Sequence, residues 1–475
     1  METKRESDQV IRVPKQGDMK IDAVVFARPE IKVEQGALEQ LVNAASLPTV
    51  EHAYGMPDIH HGYGVPIGSV VACRDIVVPA AVGYDVNCGM RLLVTSLSAA
   101  EADIEGLAES VKRDIPLGEG KSNVSMSRDD FAAVLEGGLA AMAEMGPDGH
   151  RAWHEFGRDE QRRALSRVEN RGSLPGKVGA VPDRAVERGR TQLGTLGGGN
   201  HFVEFQTVDQ VFDKSAAERL GIFKGQLTIM VHSGSRAFGH EIGGHYMKLA
   251  KSVNQKNKES APAGLNFLRL GTREADDYIG AMNAAANFAF ANRALMASLV
   301  VKDFKYMYPD ASIDLVYDVP HNIAKMERHG GVNLLVHRKG STRAWDRRRM
   351  ADTEFSDFGQ PVLIPGSMGT ASYVLRGIES GKRSLWSVNH GAGRTMSRSA
   401  AAGGRKGKGK KKAAISDQDF KESMKGVYLI AENRRAVKEE APAAYKDIDS
   451  VIRTVTEAGL AESVARLRPK AVMKG

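Results

Sequence analysis

Apolar positions along the chain fall into short runs separated by glycine-rich, proline-rich or charged stretches, and the period of each run predicts an element. After a polar lead-in of about twenty residues, IDAVVFA at 21–27 is rich in β-branched side chains and predicts a strand. Residues 34–45 place Leu38, Leu41 and Val42 on one helical face. From 55 to 96, runs such as VPIGSVVA and RLLVTS predict buried strands joined by Gly- and Pro-rich loops. Helical period returns at 99–113 and 128–145, whereas 146–190 is polar enough to read as surface helix and loop. A glycine turn at 195–206 runs into the strand HFVEF, where His201 and Phe202 alternate, so that His201 faces a site while Phe202 packs. Residues 227–232 (LTIMVH) and 315–319 predict two further strands, and 276–301 is the longest helical pattern.

A recurrence stands out in this layout. His201, His232, His321 and His390 each lie at or near the end of a short apolar strand, with small residues close by. Strand ends on a rigid scaffold can converge on one site.

Composition narrows the classes. The chain has 475 residues, 42% hydrophobic and 26% charged, which excludes a mainly disordered, collagenous or coiled-coil protein. Length alone permits one large domain or two to three smaller ones. Two cysteines exclude a disulfide scaffold, and an aromatic share of 6% argues against a stacking-driven single-strand binder. The 50 glycines imply many tight turns or backbone held close to ligands. Of the net +8, six charges sit in the low-complexity stretch 399–416 (Arg405, Lys406, Lys408, Lys410, Lys411, Lys412), leaving +2 for the rest. The start lacks an apolar targeting segment, and 284–301 is interrupted by Asn287, Asn292 and Arg293. A cytoplasmic protein with no membrane span is therefore expected.

Five constellations carry candidate chemistry. In DVNCG, Asp85 and Cys88 set a carboxylate and a thiol three residues apart; with histidine they suit a Zn- or Mn-like divalent ion, although alone Cys88 also reads as an inert buried thiol. Cys73 has no such company and reads as core. LGGGNHFVEF offers backbone N–H groups, His201 and Glu204. VHSGSRAFGH offers His232 as a ligand and Arg236 as a phosphate clamp. YDVPHN supplies His321, and LIPGSMGTASY with NHGAGRTMSR gathers small residues, hydroxyls, His390 and two arginines suited to a nucleotide. No GxxxxGK[ST] and no HExxH is present. A thiol among carboxylates and histidines points away from a plain phosphoesterase.

Together MPDIHHGYGVPIGSV, VGYDVNCGMRLL, LGGGNHFVEFQ, VHSGSRAFGH, NAAANFAFANR, YDVPHN, HRKGSTRA, GQPVLIPGSMGTASYVL and HGAGRTMSR resemble, in order, the RtcB-type RNA ligases, over nearly the whole chain. The resemblance implies a single large α/β (mixed α+β) domain over 1–475, with a sheet-rich core, helices outside and an active site formed by loops at strand ends. The run 399–416 would be a basic insertion loop, solvated and able to attract RNA nonspecifically. The implied activity joins RNA 3′-phosphate or 2′,3′-cyclic phosphate ends to 5′-hydroxyl ends, in tRNA splicing or RNA repair, using GTP and two Mn²⁺ ions. Cys88 would bridge the metals, with Asp85 and His201 on one and His232 and His321 on the other. His390 would be guanylylated. Asn200, His201, Phe202, Val203, Glu204, His321, Asn322, Pro365, Gly366, Ser367, Met368, Ser372, His390, Gly391, Ala392, Gly393, Tyr445 and Lys474 would bind GMP. Arg236 and Arg394 would contact RNA phosphates, and archease is an implied partner. His60, His61 and His240 lie in family motifs as candidates for orienting ligands or binding RNA; His52, His150, His154, His245, His329 and His337 read as structural or surface residues. The alternative is a metal-dependent RNA end-processing phosphodiesterase without sealing activity.

Overall fold

The computed structural model describes residues 1–145, 163–406, 409–411, 413–433 and 437–475. It is a mixed α/β fold in which two large sheets make the core and helices lie outside them. One sheet has eight strands. From its edge it runs Ile313–Pro320, Gly89–Ser98, Gln226–Ser233, Phe202–Val211, Ala461–Lys474, Ser372–Gly377 and Pro361–Ile364, with Tyr428–Ala431 added parallel to Ala461–Lys474. The other has seven, in the order Lys4–Ser7, Val10–Val13, Ala23–Phe26, Val50–His60, Ile67–Cys73, Val332–Lys339 and Asn322–His329.

Side-chain alternation decides what each face of the eight-stranded sheet does. On Gln226–Ser233, Leu227, Ile229 and Val231 enter the largest apolar cluster, while Met230 and His232 point the other way. The first face is covered by the helix Arg273–Met307, 35 residues long and capped by the Thr272 hydroxyl on the Ala275 N–H. By length and composition this helix could cross a membrane, but 94% of its most apolar window is buried inside the protein. The polar residues that break its pattern are ties to the sheet. Asn292 accepts from the Gly194 N–H at 2.8 Å and donates to Ser233 Oγ at 3.1 Å. Arg293, fully buried, donates to both Asp318 oxygens and to the carbonyls of Asn87 (2.7 Å) and Ser233 (3.0 Å). Helices Gln35–Ala44 and Ile448–Glu457 pack in a second cluster that includes Val70 and Val336 of the seven-stranded sheet and Val362 and Tyr373 of the other.

Several expectations need correction. The polar lead-in is a hairpin, Lys4–Ser7 with Val10–Val13, whose Val10 and Val13 are buried; four-residue strands are too short for alternation to register. The proline-bearing MPDIH is part of the strand Val50–His60, accommodated by an irregularity between Gly55 and His60. Ala461–Lys474, for which the sequence reading names no element, is a 14-residue strand whose bulges reset its alternation. Within 146–190, Glu169 is fully buried, paired with Lys325 and Arg343, so that stretch is not all surface. The basic run begins with the helix Arg398–Ala402 and then pairs backbone Gly404–Lys406 with Gly409–Lys411. Lys408 and Lys412, with His150 and His154, lie outside the described residues. Cys73 is core, its thiol pushed up by burial.

Candidate active site

The four strand-end histidines do converge. His232 is in register with Met90 on one neighbouring strand and with Phe202 on the other, which sets Cys88 and His201 beside it. The His321 N–H donates to the Cys88 carbonyl at 2.8 Å. Cys88 follows Asn87, whose φ of 57° turns the loop and whose amide donates to the Ala286 carbonyl at 3.0 Å. Asp85 is fixed from the other side, where its Oδ1 accepts the Ser235 N–H at 3.0 Å at the start of the helix Arg236–Lys256.

The donor atoms form two groups that share one sulfur. Cys88 Sγ lies 3.2 Å from His232 Nε2 and 3.4 Å from His201 Nε2. His232 Nε2 is 3.4 Å from His321 Nε2, and His201 Nε2 is 2.8 Å from Asp85 Oδ2. His201 Nδ1 faces the Leu196 carbonyl at 3.1 Å and donates to it. Its Nε2 faces the Asp85 carboxylate across 2.8 Å, a contact that requires a proton or a cation between the two. Burial pushes the His232 and His321 imidazoles well below their usual range, so both are neutral donors. Burial, reinforced by Asp85, pushes the Cys88 thiol up, the reverse of what a bound cation would do. Burial would also raise Asp85, but His201, Cys88 and Arg236 bring it to about 2. Within each group the donor atoms all lie within 4.8 Å of one another, and the mixed S, N and O set fits divalent first-row ions.

His390 follows the strand Ser387–Asn389, its ring centroid 4.9 Å from that of His321. Its backbone N–H and Nδ1 both donate to Asp58 Oδ2, at 3.1 and 2.6 Å, leaving Nε2 as the unprotonated nitrogen. Asp58 is fully buried and lies in the MPDIH strand. Sequence reasoning missed it, because 332 residues separate the partners and only an isolated acid in a Pro-containing motif marked it.

A cavity of about 220 Å³ opens beside these groups. Of the proposed GMP contacts, Asn200, Phe202, His321, Asn322, Pro365, Gly366, Ser367 and Met368 line it, as do His390, Gly391, Ala392, Gly393, Tyr445 and Lys474. Phe202 therefore faces the site and does not simply pack. Val203 points to the opposite face and enters the helix-covered core. Ser372 shapes the wall indirectly, its Oγ accepting the Gly366 N–H at 3.3 Å. Glu204 is buried on the same strand face as Phe202; Oε2 accepts from Gln206 at 3.0 Å and Oε1 has no partner among the described residues. Burial lifts its carboxyl to about 8. Lys474 Nζ donates to the carbonyls of Gly199 (2.7 Å) and His201 (3.1 Å). His60 also lines this cavity, held neutral by burial, which lowers it to about 4. His61 is exposed, and His337 is structural, bonded to Val78 and Val71.

Arg394 reaches the cavity, but Glu440 (3.1 Å), the Glu439 carbonyl (2.7 Å) and the Met396 carbonyl occupy its donors. Arg236 lines a second cavity of about 460 Å³ on the Asp85–His201 side, with Arg188, His240 and Arg398. Glu440 was not foreseen either. Burial raises its carboxyl, yet Lys474, Arg398 and Arg394 together hold it at about 2. Its folded value lies below the ordinary 4.5, so its stabilising contribution is present above pH 4.5 and lost as pH falls toward 2. Glu440→Gln is expected to cost on the order of 3 kcal/mol at pH 7 and progressively less below pH 4, read by urea unfolding at several pH values.

A family model described as tRNA-splicing ligase RtcB matches residues 40–475. The chain belongs to the RtcB family. It is 39% identical to the tRNA-splicing ligase RtcB of Thermococcus kodakarensis, over 96% of this chain and 95% of that one. The RtcB of Aeropyrum pernix is 37% identical, covering 96% of both, and that of Nanoarchaeum equitans 38%, covering 99% of both. The RtcB match spans every strand end that contributes to the site, from the Asp58 strand to Lys474.

Proposed function

We propose that the chain is an RNA ligase that uses GTP and two Mn²⁺ ions to join RNA 3′-phosphate or 2′,3′-cyclic phosphate ends to 5′-hydroxyl ends, tRNA halves being the natural substrate class. The observation that carries this reading is His390: its Nδ1 is occupied by buried Asp58, while its ring stands beside His321 in the cavity wall. A metal-dependent phosphodiesterase needs the metal donors but has no use for an oriented imidazole nucleophile beside them.

In this reading His390 Nε2 attacks the α-phosphorus of GTP, the bond to the leaving oxygen breaks and pyrophosphate departs. Asp58 keeps the proton on Nδ1 and balances the charge that the ring acquires. An oxygen of the RNA 3′-phosphate then attacks the same phosphorus and His390 leaves, so the RNA end carries GMP. The 5′-hydroxyl oxygen attacks the 3′-phosphorus, its proton passes to solvent and the bond to GMP breaks; a cyclic end is first opened by water, which bonds to phosphorus as the bond to O2′ breaks, leaving a 3′-phosphate and a 2′-hydroxyl. Cations held by Asp85, Cys88 and His201 and by Cys88, His232 and His321 would supply neutralisation of phosphate oxygens and polarisation of phosphorus.

GTP labelled at the α-phosphate, incubated with Mn²⁺ and resolved on a denaturing gel, tests the reading. Label is expected on the wild type and not on His390→Ala. Absence of label from a metal-loaded protein, with archease added, would instead favour the end-processing phosphodiesterase.

Glu204 is the residue we assign to the base. Burial alone keeps the Glu204 carboxyl near 8 and so protonated at neutral pH; the adjacent N–H donors on guanine's ring edge would favour its ionised form and give Oε1 the partner it lacks, and adenine lacks that pair. Glu204→Gln is expected to lower the GTP-over-ATP labelling ratio by roughly 10–100-fold, the worth of one charged hydrogen bond. Competition labelling with both nucleotides measures it.

A further inference from the structure

We infer that Tyr63, Tyr84 and His240 form a stacking platform for the bases of single-stranded RNA next to one of the two ends being joined, an inference that rests on the ligase reading above. The three rings make a row. Tyr84 and His240 lie 4.5 Å apart with 18° between their planes, and Tyr63 and Tyr84 lie 5.7 Å apart at 42°. The row is open at both ends: Tyr63 is 57% exposed and His240 is exposed. The outer two rings are left in water, Tyr84 is half-buried between them, and none of the three makes a side-chain hydrogen bond among the described residues, so the row contributes little to a core. It suits planar ligands instead.

Position ties the row to the site. Tyr84 immediately precedes Asp85 and lines both cavities. His240 lines the second cavity with Arg188, Arg236 and Arg398, so cations for a phosphate backbone stand beside a ring for a base. The Tyr63 carbonyl accepts from Lys339, which lines the first cavity. The helix Arg236–Lys256 is also cut back where it passes. A Cβ on Gly243 would come within 3.0 Å of the Gly83 carbonyl oxygen and 3.3 Å of Tyr84 Cα, and one on Gly244 within 4.0 Å of the Tyr84 ring. The low aromatic share of the chain excludes a protein coated with stacking surfaces; it does not bear on three rings gathered beside the reacting groups.

The test compares oligoribonucleotides of equal charge. Ten-nucleotide single strands ending in a 3′-phosphate, or starting with a 5′-hydroxyl, are made intact and with the three bases nearest the end removed. Their Kd for the full chain with Mn²⁺ is read by fluorescence anisotropy. For one of the two ends, the intact strand is expected to bind about tenfold or more tighter than the abasic one, since each stacked base contributes at least about fivefold. Tyr63→Ala with His240→Ala is expected to bring that ratio close to one, and Tyr63→Phe to keep it. Equal binding of intact and abasic strands by the wild type at both ends overturns the platform, whatever the variants do. A ratio that survives the double substitution also overturns it, placing base recognition elsewhere. If His390 takes label from GTP, either result removes the platform alone. If no strand binds and no label is transferred, the ligase reading falls with it.

Discussion

Asp58→Asn is expected to slow transfer of label from GTP to His390 by about 10²–10⁴-fold while leaving the metal content of the protein unchanged. The carboxylate accepts from His390 twice, from the backbone N–H at 3.1 Å and from Nδ1 at 2.6 Å. It thereby fixes both the ring's orientation and its tautomer. An amide at the same position can turn its NH₂ toward Nδ1, which would then have to accept. The proton moves to Nε2, and the nitrogen facing the cavity is no longer a nucleophile. The charge that built up on the ring in the transition state also loses its counter-ion. Asp58 contributes no atom to either donor group, so metal analysis of the variant should match the wild type. Single-turnover labelling across pH separates this from unfolding: a tautomer defect lowers the plateau at every pH, whereas an equal rate in the variant would remove Asp58 from the mechanism.

Arg293→Met should destabilise the protein by about 3–5 kcal/mol and weaken metal binding at the same time. The guanidinium is entirely enclosed and faces Asp318, which is also fully buried and shared with Arg91. Its removal leaves Asp318 with a single cation at 3.2 Å and leaves the carbonyls of Asn87 and Ser233 without this donor. Those carbonyls belong to the residues next to Cys88 and His232. One buried arginine on the long helix thus holds two ligand-bearing strand ends in register, and relaxation there displaces the donors that must converge. Urea unfolding gives the stability, and a metal titration followed by direct ion analysis gives the affinity. A variant as stable as the wild type would show that water or a shifted neighbour replaces the arginine.

Why was so much of the site readable before the fold? The candidate metal donors and His390 lie in short loop motifs at strand ends, where unusual residue types stand beside glycines and short apolar runs. Asp85, Cys88, His201, His232 and His321 are all of this kind, and all five enter the two donor groups. Asp58 and Glu440 are not. Each acts on a partner distant in sequence, and a single carboxylate has no period to betray it. Arg293 and Asn292 were visible only as interruptions of an apolar helix, which excluded a clean membrane span but gave no partner. Strands failed to show where bulges broke the alternation, as in Ala461–Lys474, or where proline suggested a loop, as in Val50–His60. Val203 shows the opposite limit. The resemblance placed it among nucleotide contacts, whereas strict alternation along its strand sends its side chain into the core.

The strand Ala461–Lys474 lies in the interior of the eight-stranded sheet, between Phe202–Val211 and Ser372–Gly377. During synthesis both neighbours leave the ribosome well before it does. Until it arrives, each exposes an unpaired edge, and Phe205 and Val374 lack the sheet that buries them. The nascent chain must therefore wait, with sticky edges open, for a segment more than 250 residues downstream of the first partner. A chain stopped before Ala461 is therefore expected to keep both edges open and to aggregate more readily than the full chain, since the pocket is closed around so late a strand.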